Sequence, residues 1–68
     1  MSIAKVIEII AEGKSVEDAV ENAVAEASKS IRSIRSVNVE NIQARVKENQ
    51  VTQYRVLCKV AFVVGDDD

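Results

Sequence analysis

The feature that most constrains this chain is its last apolar run, Tyr54 to Val64, in which neither side of a strand would be fully polar. Alternate side chains of a strand point to opposite faces of a sheet. Val56, Cys58, Val60, Phe62 and Val64 therefore form one apolar face, while Leu57, Ala61 and Val63 sit among Arg55 and Lys59 on the other. Only one segment has convincing helical periodicity, and one helix covers one face. The second face, still half apolar, needs cover from other copies of the chain. Self-assembly is thus the first functional inference, and a ligand held between subunits is the second.

The length of 68 residues sharpens this demand. It allows a single domain, residues 1–68. Ordering such a chain costs on the order of 100 kcal/mol, which a small core only just offsets without disulfides, metals or partners. Cys58 is the only cysteine and there is no histidine, which removes disulfides and the usual zinc sites. Partners remain.

Charge and composition exclude further classes. The net charge is −2, with acids and bases interspersed, so no basic stripe suits nucleic acid. Tyr54 and Phe62 are the only aromatic residues, too few for base stacking. The early apolar run Val6 to Ala11 is broken by Glu8 and does not read as a signal peptide. No stretch has the length of a membrane span. A lone cysteine suits a reducing compartment, so the expected location is cytoplasmic. Without histidine, and without a Ser or Cys beside an activating partner, the chain is not expected to be an enzyme, and no catalytic residue is assigned.

Along the chain, Ile3 to Ala11 reads as a strand apolar on both faces, ended by a turn at Gly13. Ser15 is the expected N-cap of a helix whose apolar positions run Val16, Ala19, Val20, Ala23, Val24, Ala27, Ile31 and Ile34. Glu17, Asp18, Glu21 and Glu26 fall early in that helix, and Lys29, Arg32 and Arg35 at its end, which complements the helix dipole. Ser36 to Val46 reads as a second strand. Its apolar set moves from Val37 and Val39 to Ile42, Ala44 and Val46, which predicts a bulge or a sharp bend near Glu40-Asn41. Lys47 to Gln50 is a polar turn in which Asn49 accepts a left-handed conformation, and the third strand follows. The predicted fold is α+β, in the order β-α-β-β.

At this point the chain resembles the dodecin family. The resemblance is carried by Lys5-Val6-Ile7-Glu8-Ile9, by Ser15 through Ala23 and by Ala27-Ser28-Lys29-Ser30-Ile31-Arg32. It continues through Val37-Asn38-Val39-Glu40, Tyr54-Arg55-Val56 and Lys59-Val60-Ala61-Phe62. It implies a three-stranded antiparallel sheet wrapped around one helix, and a hollow homo-dodecamer built from trimers. It also implies storage or sequestration of flavin, as FMN or riboflavin, between subunits.

Two departures from the family pattern bear on that function. Where the resemblance places a stacking Trp just after the helix, this chain has Ser36, followed by Val37. Losing an aromatic stack weakens binding by roughly ten- to a thousandfold. Where it places a flavin-contacting Gln on the last strand, this chain has Arg55, which donates hydrogen bonds but cannot accept them. Arg55 suits phosphate or carboxylate, and Arg45 on the neighbouring strand shares its side if Val46 pairs near Val51. Ser36, Val37, Arg45 and Arg55 are therefore the candidate ligand-binding residues. The alternative is a structural shell without flavin, binding another anionic ligand or, through Asp66-Asp67-Asp68, a metal ion. For the two arginines the plain alternative is ion pairing with glutamates of other subunits, and for Cys58 it is packing as a small hydrophobe.

Overall fold

The structure, a computed structural model, describes residues 3–65. Strand β1 (Ile3–Gly13), helix α1 (Val16–Ala27), strand β2 (Ile34–Lys47) and strand β3 (Gln50–Val64) follow in that order. The sheet is antiparallel with spatial order β1-β3-β2, so β3, which carries the long apolar run Tyr54 to Val64, is the central strand. The β-α-β-β reading of the sequence holds.

Helix α1 starts where Ser15 caps it, its hydroxyl accepting from the Asp18 N–H at 3.0 Å. It ends earlier than its apolar spacing suggests, at Ala27 rather than Arg35, and β2 begins at Ile34 rather than Ser36. Serines dominate the break. Ser28 Oγ donates to the Ala25 carbonyl at 2.9 Å, and the N–H groups of Lys29 and Ser30 each bond three residues back, at 3.2 Å, in a tightened last turn. Serine hydroxyls compete with the helix for backbone partners, so Ser-Lys-Ser is a poor continuation. Ile31 and Ile34 still reach the core, from the connection and from β2. Consequently no basic residue lies in the last turn of α1, and the expected cationic end of the helix is absent.

The core is thin. Ala19, Ala23 and Ala27 of α1 pack on Val56, Cys58 and Val60 of β3, and these six are its buried set among the described residues. Alanine lets the helix come close to the sheet. Gly13 serves the same approach, because a Cβ there would lie 2.5 Å from the Ala19 nitrogen. Its role is this contact rather than a turn conformation. Asn22 then ties α1 to the strand below, donating to the Glu12 carbonyl at 2.7 Å.

Bulges keep β2 in phase. Glu40 is the extra residue between the pairs Val39–Cys58 and Asn41–Leu57, where the sequence predicts it. Val37, Val39, Ile42 and Ala44 thereby all face the helix side, opposite Val60, Cys58, Val56 and Tyr54. A second shift at Arg35, and a third between Arg45 and Val46, were not legible in the apolar pattern. The β2–β3 turn puts Glu48 at φ 53° and Asn49 at φ 64°, the left-handed pair that a type I′ hairpin requires.

One copy of the chain is not a finished globule. Its radius of gyration is 13.9 Å and its longest dimension 52 Å, whereas a compact chain of this length has a radius near 11 Å. Its accessible surface is 5069 Å², against about 4,200 Å² for a typical folded monomer of this mass. The helix lies over β1 and β3 and barely reaches β2, leaving Val39 and Ile42 exposed on the helix side. On the other face Val6 and Ile10 are exposed.

Candidate functional site

The face of the sheet away from the helix is built in rows of side chains set by the register. Glu8, Lys59 and Asn38 form one row, Ile10, Leu57 and Asn41 the next, and Glu12, Arg55 and Gln43 the third. An apolar pair is thus bracketed by two cross-strand ion pairs. Ile10, Leu57, Asn41, Gln43 and Arg55 line an open depression of about 250 Å³ on this face.

Glu12 organises the third row. Arg55 donates to Glu12 Oε2 from Nη2 at 2.7 Å and from Nε at 2.9 Å. Arg45 Nη1 approaches the same oxygen at 3.4 Å, and Gln53 Nε2 donates to Oε1 at 2.9 Å. These groups come from all three strands, because β1 and β2 flank β3 at this level. The hydrogen bonds from Arg55 hold the Glu12 carboxyl below its ordinary value of 4.5, with the charges of Arg55 and Arg45 and the Gln53 bond adding to them against partial desolvation. In the first row Lys59 Nζ lies 4.0 Å from Glu8 Oε2, a looser pair in solvent.

The four candidate residues are not brought together within one chain. Arg45 and Arg55 share a side, with Val46 opposite Val51, and meet at Glu12. Ser36 lies on the same face but in the row of Ala61 and Val6, about 20 Å along the strand from Arg55 at ~3.4 Å per residue. Val37 faces the other way and packs against the core. No aromatic side chain lines the depression, and Tyr54 sits half-buried on the helix side, opposite Ala44. Cys58 is buried, and that burial pushes its thiol above the ordinary value of 9.0.

Ile10, Asn41, Gln43, Leu57 and above all Glu12 escape a reading of the sequence alone. One signal was available. Glu8 and Glu12 are spaced as Lys59 and Arg55 are, so an antiparallel register that pairs one couple pairs both. Among the described residues no group of acidic, cysteine or histidine side chains could hold a metal ion. Asp66, Asp67 and Asp68, the candidate cation ligands, lie outside the described residues. No helix among the described residues is long and apolar enough to cross a membrane.

A single short helix lying across part of a long antiparallel hairpin, with a lined depression on the bare side of the sheet, defines a class of small β-α-β-β proteins. The chain belongs to the dodecin family, whose profile matches residues 3–65. Among solved structures it is similar to a mutant of the Thermus thermophilus dodecin, with 25% identity, a TM-score of 0.88, and coverage of 97% of this chain and 100% of that one. It is also similar to the dodecin of Streptomyces coelicolor, at 25% identity and a TM-score of 0.87 over 97% of this chain and 96% of that one. The dodecin of Streptomyces davaonensis shares the fold at 20% identity, with a TM-score of 0.87 and coverage of 96% and 97%. No functionally curated sequence matches the chain.

Proposed function

We propose that this protein is a cytoplasmic homo-oligomer, the twelve-subunit shell of its family, that stores or sequesters a small planar ligand between subunits and is not an enzyme. Flavin, as riboflavin or FMN, is the favoured ligand class. The observation that carries this reading is the depression on the bare sheet face. Ile10 and Leu57 offer an apolar floor for a ring, and the Asn41 and Gln43 amides offer a donor and an acceptor for the imide edge of a flavin. One chain supplies only one wall, and a neighbouring subunit supplies the opposite one. Ser36 and Arg55, some 20 Å apart in one chain by strand rise, belong to one site only when two subunits contribute. Val37 takes part through its backbone, since its side chain is turned to the core.

What the site lacks is a stacking ring, because Ser36 stands where the family resemblance places Trp. Flavin binding is therefore weak, and that favours, as the second reading, a shell that functions without flavin. Sedimentation analysis of the purified protein together with titration of riboflavin and FMN, followed by quenching of flavin fluorescence, tests both. A large oligomer with saturable quenching is the expected result. A large oligomer without quenching by either flavin leaves the structural shell, and a stable single subunit removes both readings.

A further inference from the structure

Each charged side chain in the rows beside the depression already has a partner of opposite sign. Glu8 faces Lys59 at 4.0 Å, and Glu12 takes both Arg55, at 2.7 Å, and Arg45, at 3.4 Å. Two guanidinium groups, Arg55 in the third row and Arg45 in the row beyond it, and one carboxylate leave the cluster at Glu12 with a single net positive charge, against the −1.5 to −2 that a phosphate monoester carries at about neutral pH. An incoming phosphate or carboxylate must either displace Glu12 from Arg55 or lie beside it as a second anion. The floor between the ion pairs is apolar and the remaining polar groups are the neutral amides of Asn41 and Gln43.

We infer that Glu12 is a specificity-determining residue, an internal counter-anion that withholds Arg55 and Arg45 from anionic ligands and tunes the depression to uncharged planar ones. This inference rests on the ligand-holding reading above. Arg55 therefore does not mark a phosphate site. It shapes the pocket's rim as half of a neutral pair, and Glu12 is a positioning residue acting through it.

The test compares riboflavin, which is uncharged, with FMN, which carries the same ring and a phosphate. Wild-type oligomer is titrated with each, and so is Glu12→Gln, which keeps the shape of the side chain and removes the anion. Wild type is expected to bind riboflavin at least about threefold tighter than FMN, and Glu12→Gln to move that ratio toward FMN by about tenfold. A wild-type preference for FMN, or a ratio that moves less than threefold in the folded variant, overturns the inference. If Glu12→Gln does not fold, the wild-type ratio decides alone. If neither flavin binds either protein, the flavin reading fails separately, and calorimetric titration with inorganic pyrophosphate decides this one. Binding to Glu12→Gln and not to wild type supports it, and any other pattern overturns it.

Discussion

Glu12 and Arg55 stand directly opposite each other on β1 and β3, and Arg55 holds one oxygen of the Glu12 carboxylate from two nitrogens, at 2.7 and 2.9 Å. The contact spans 43 residues of sequence. It therefore reports on the closed sheet rather than on any local turn. With Arg45 and Gln53 converging from the hairpin, it also pins the end of β1 to both strands of the hairpin. Glu12 is 37% exposed and Arg55 42%, so solvent screens the pair and its main effects are on register and on the local field.

The first prediction concerns acid. The Glu12 carboxyl is held below its ordinary 4.5, chiefly by the Arg55 hydrogen bonds. A depressed folded-state pKa contributes stability that is complete above the unfolded value and lost as pH falls through the folded one. Urea unfolding followed from pH 7 to pH 3 should therefore show a wild-type midpoint that falls faster, below about pH 4.5, than that of Glu12→Gln. Parallel pH profiles would show that the pair adds nothing to stability.

Gly13 gives a steric test. An added methyl would sit 2.5 Å from the Ala19 nitrogen and 2.9 Å from Asp18 atoms, all at the start of the helix. Backbone cannot yield there without lifting α1 off the sheet. Gly13→Ala is expected to cost about 1–3 kcal/mol, the usual range for overpacking. Thermal unfolding by circular dichroism measures this, and an unchanged midpoint would refute the close-approach role.

The hairpin tip offers the opposite sign. Glu48 holds a left-handed φ of 53° with no glycine to relieve it. Left-handed backbone costs an L-residue roughly 1–2 kcal/mol, and Asn-Gly is the pair a type I′ turn prefers. Replacing Glu48 by Asn together with Asn49 by Gly should raise stability by about 1 kcal/mol, part of the gain being returned through the freer unfolded chain. A higher denaturation midpoint with unchanged sedimentation is the expected reading.

These residues also mark how far the sequence could be read. Element order, the Ser15 cap, the bulge at Glu40 and the left-handed Asn49 were legible because each rests on local pattern or local backbone chemistry. The helix end was not, since Ile31 and Ile34 satisfy helical spacing while serving the core from a connection and a strand. The cluster at Glu12 was not legible either. Which acid meets which base depends on register between strands far apart in sequence, and the apolar pattern of β1, greasy on both faces, leaves that register open. Arg45 and Arg55 were visible as candidate ligand contacts. Their shared partner was visible only in the folded sheet.

Cys58 should be chemically silent in the folded protein. Its side chain is buried between α1 and the sheet, and burial raises its pKa above 9.0, whereas thiol reagents attack the exposed thiolate. Ellman's reagent at pH 8 is expected to titrate no thiol in native protein and one per chain in 6 M guanidinium. Rapid modification of the native form would mean that α1 opens readily from β3.

The helix-side strip of β2 bears on assembly. Val39 and Ile42 are turned toward the side that α1 covers, yet α1 stops short of them and they stay 38% and 54% exposed. Glu40 bulges between them, so the two valine- and isoleucine-bearing halves of the strand are aimed at one surface rather than at opposite ones. In the proposed oligomer that surface would offer another copy apolar area, on a chain too elongated to bury it alone. A charge buried there would have to be desolvated without a partner, which costs several kcal/mol per ion. Ile42→Lys should therefore shift sedimentation from the large species toward single subunits or small oligomers at micromolar concentration. Asn38→Lys, a charge of the same sign on the opposite face of the strand, should disturb it less. An Ile42→Lys protein that sediments as wild type would place the subunit contacts elsewhere and leave the strip as ordinary exposed surface.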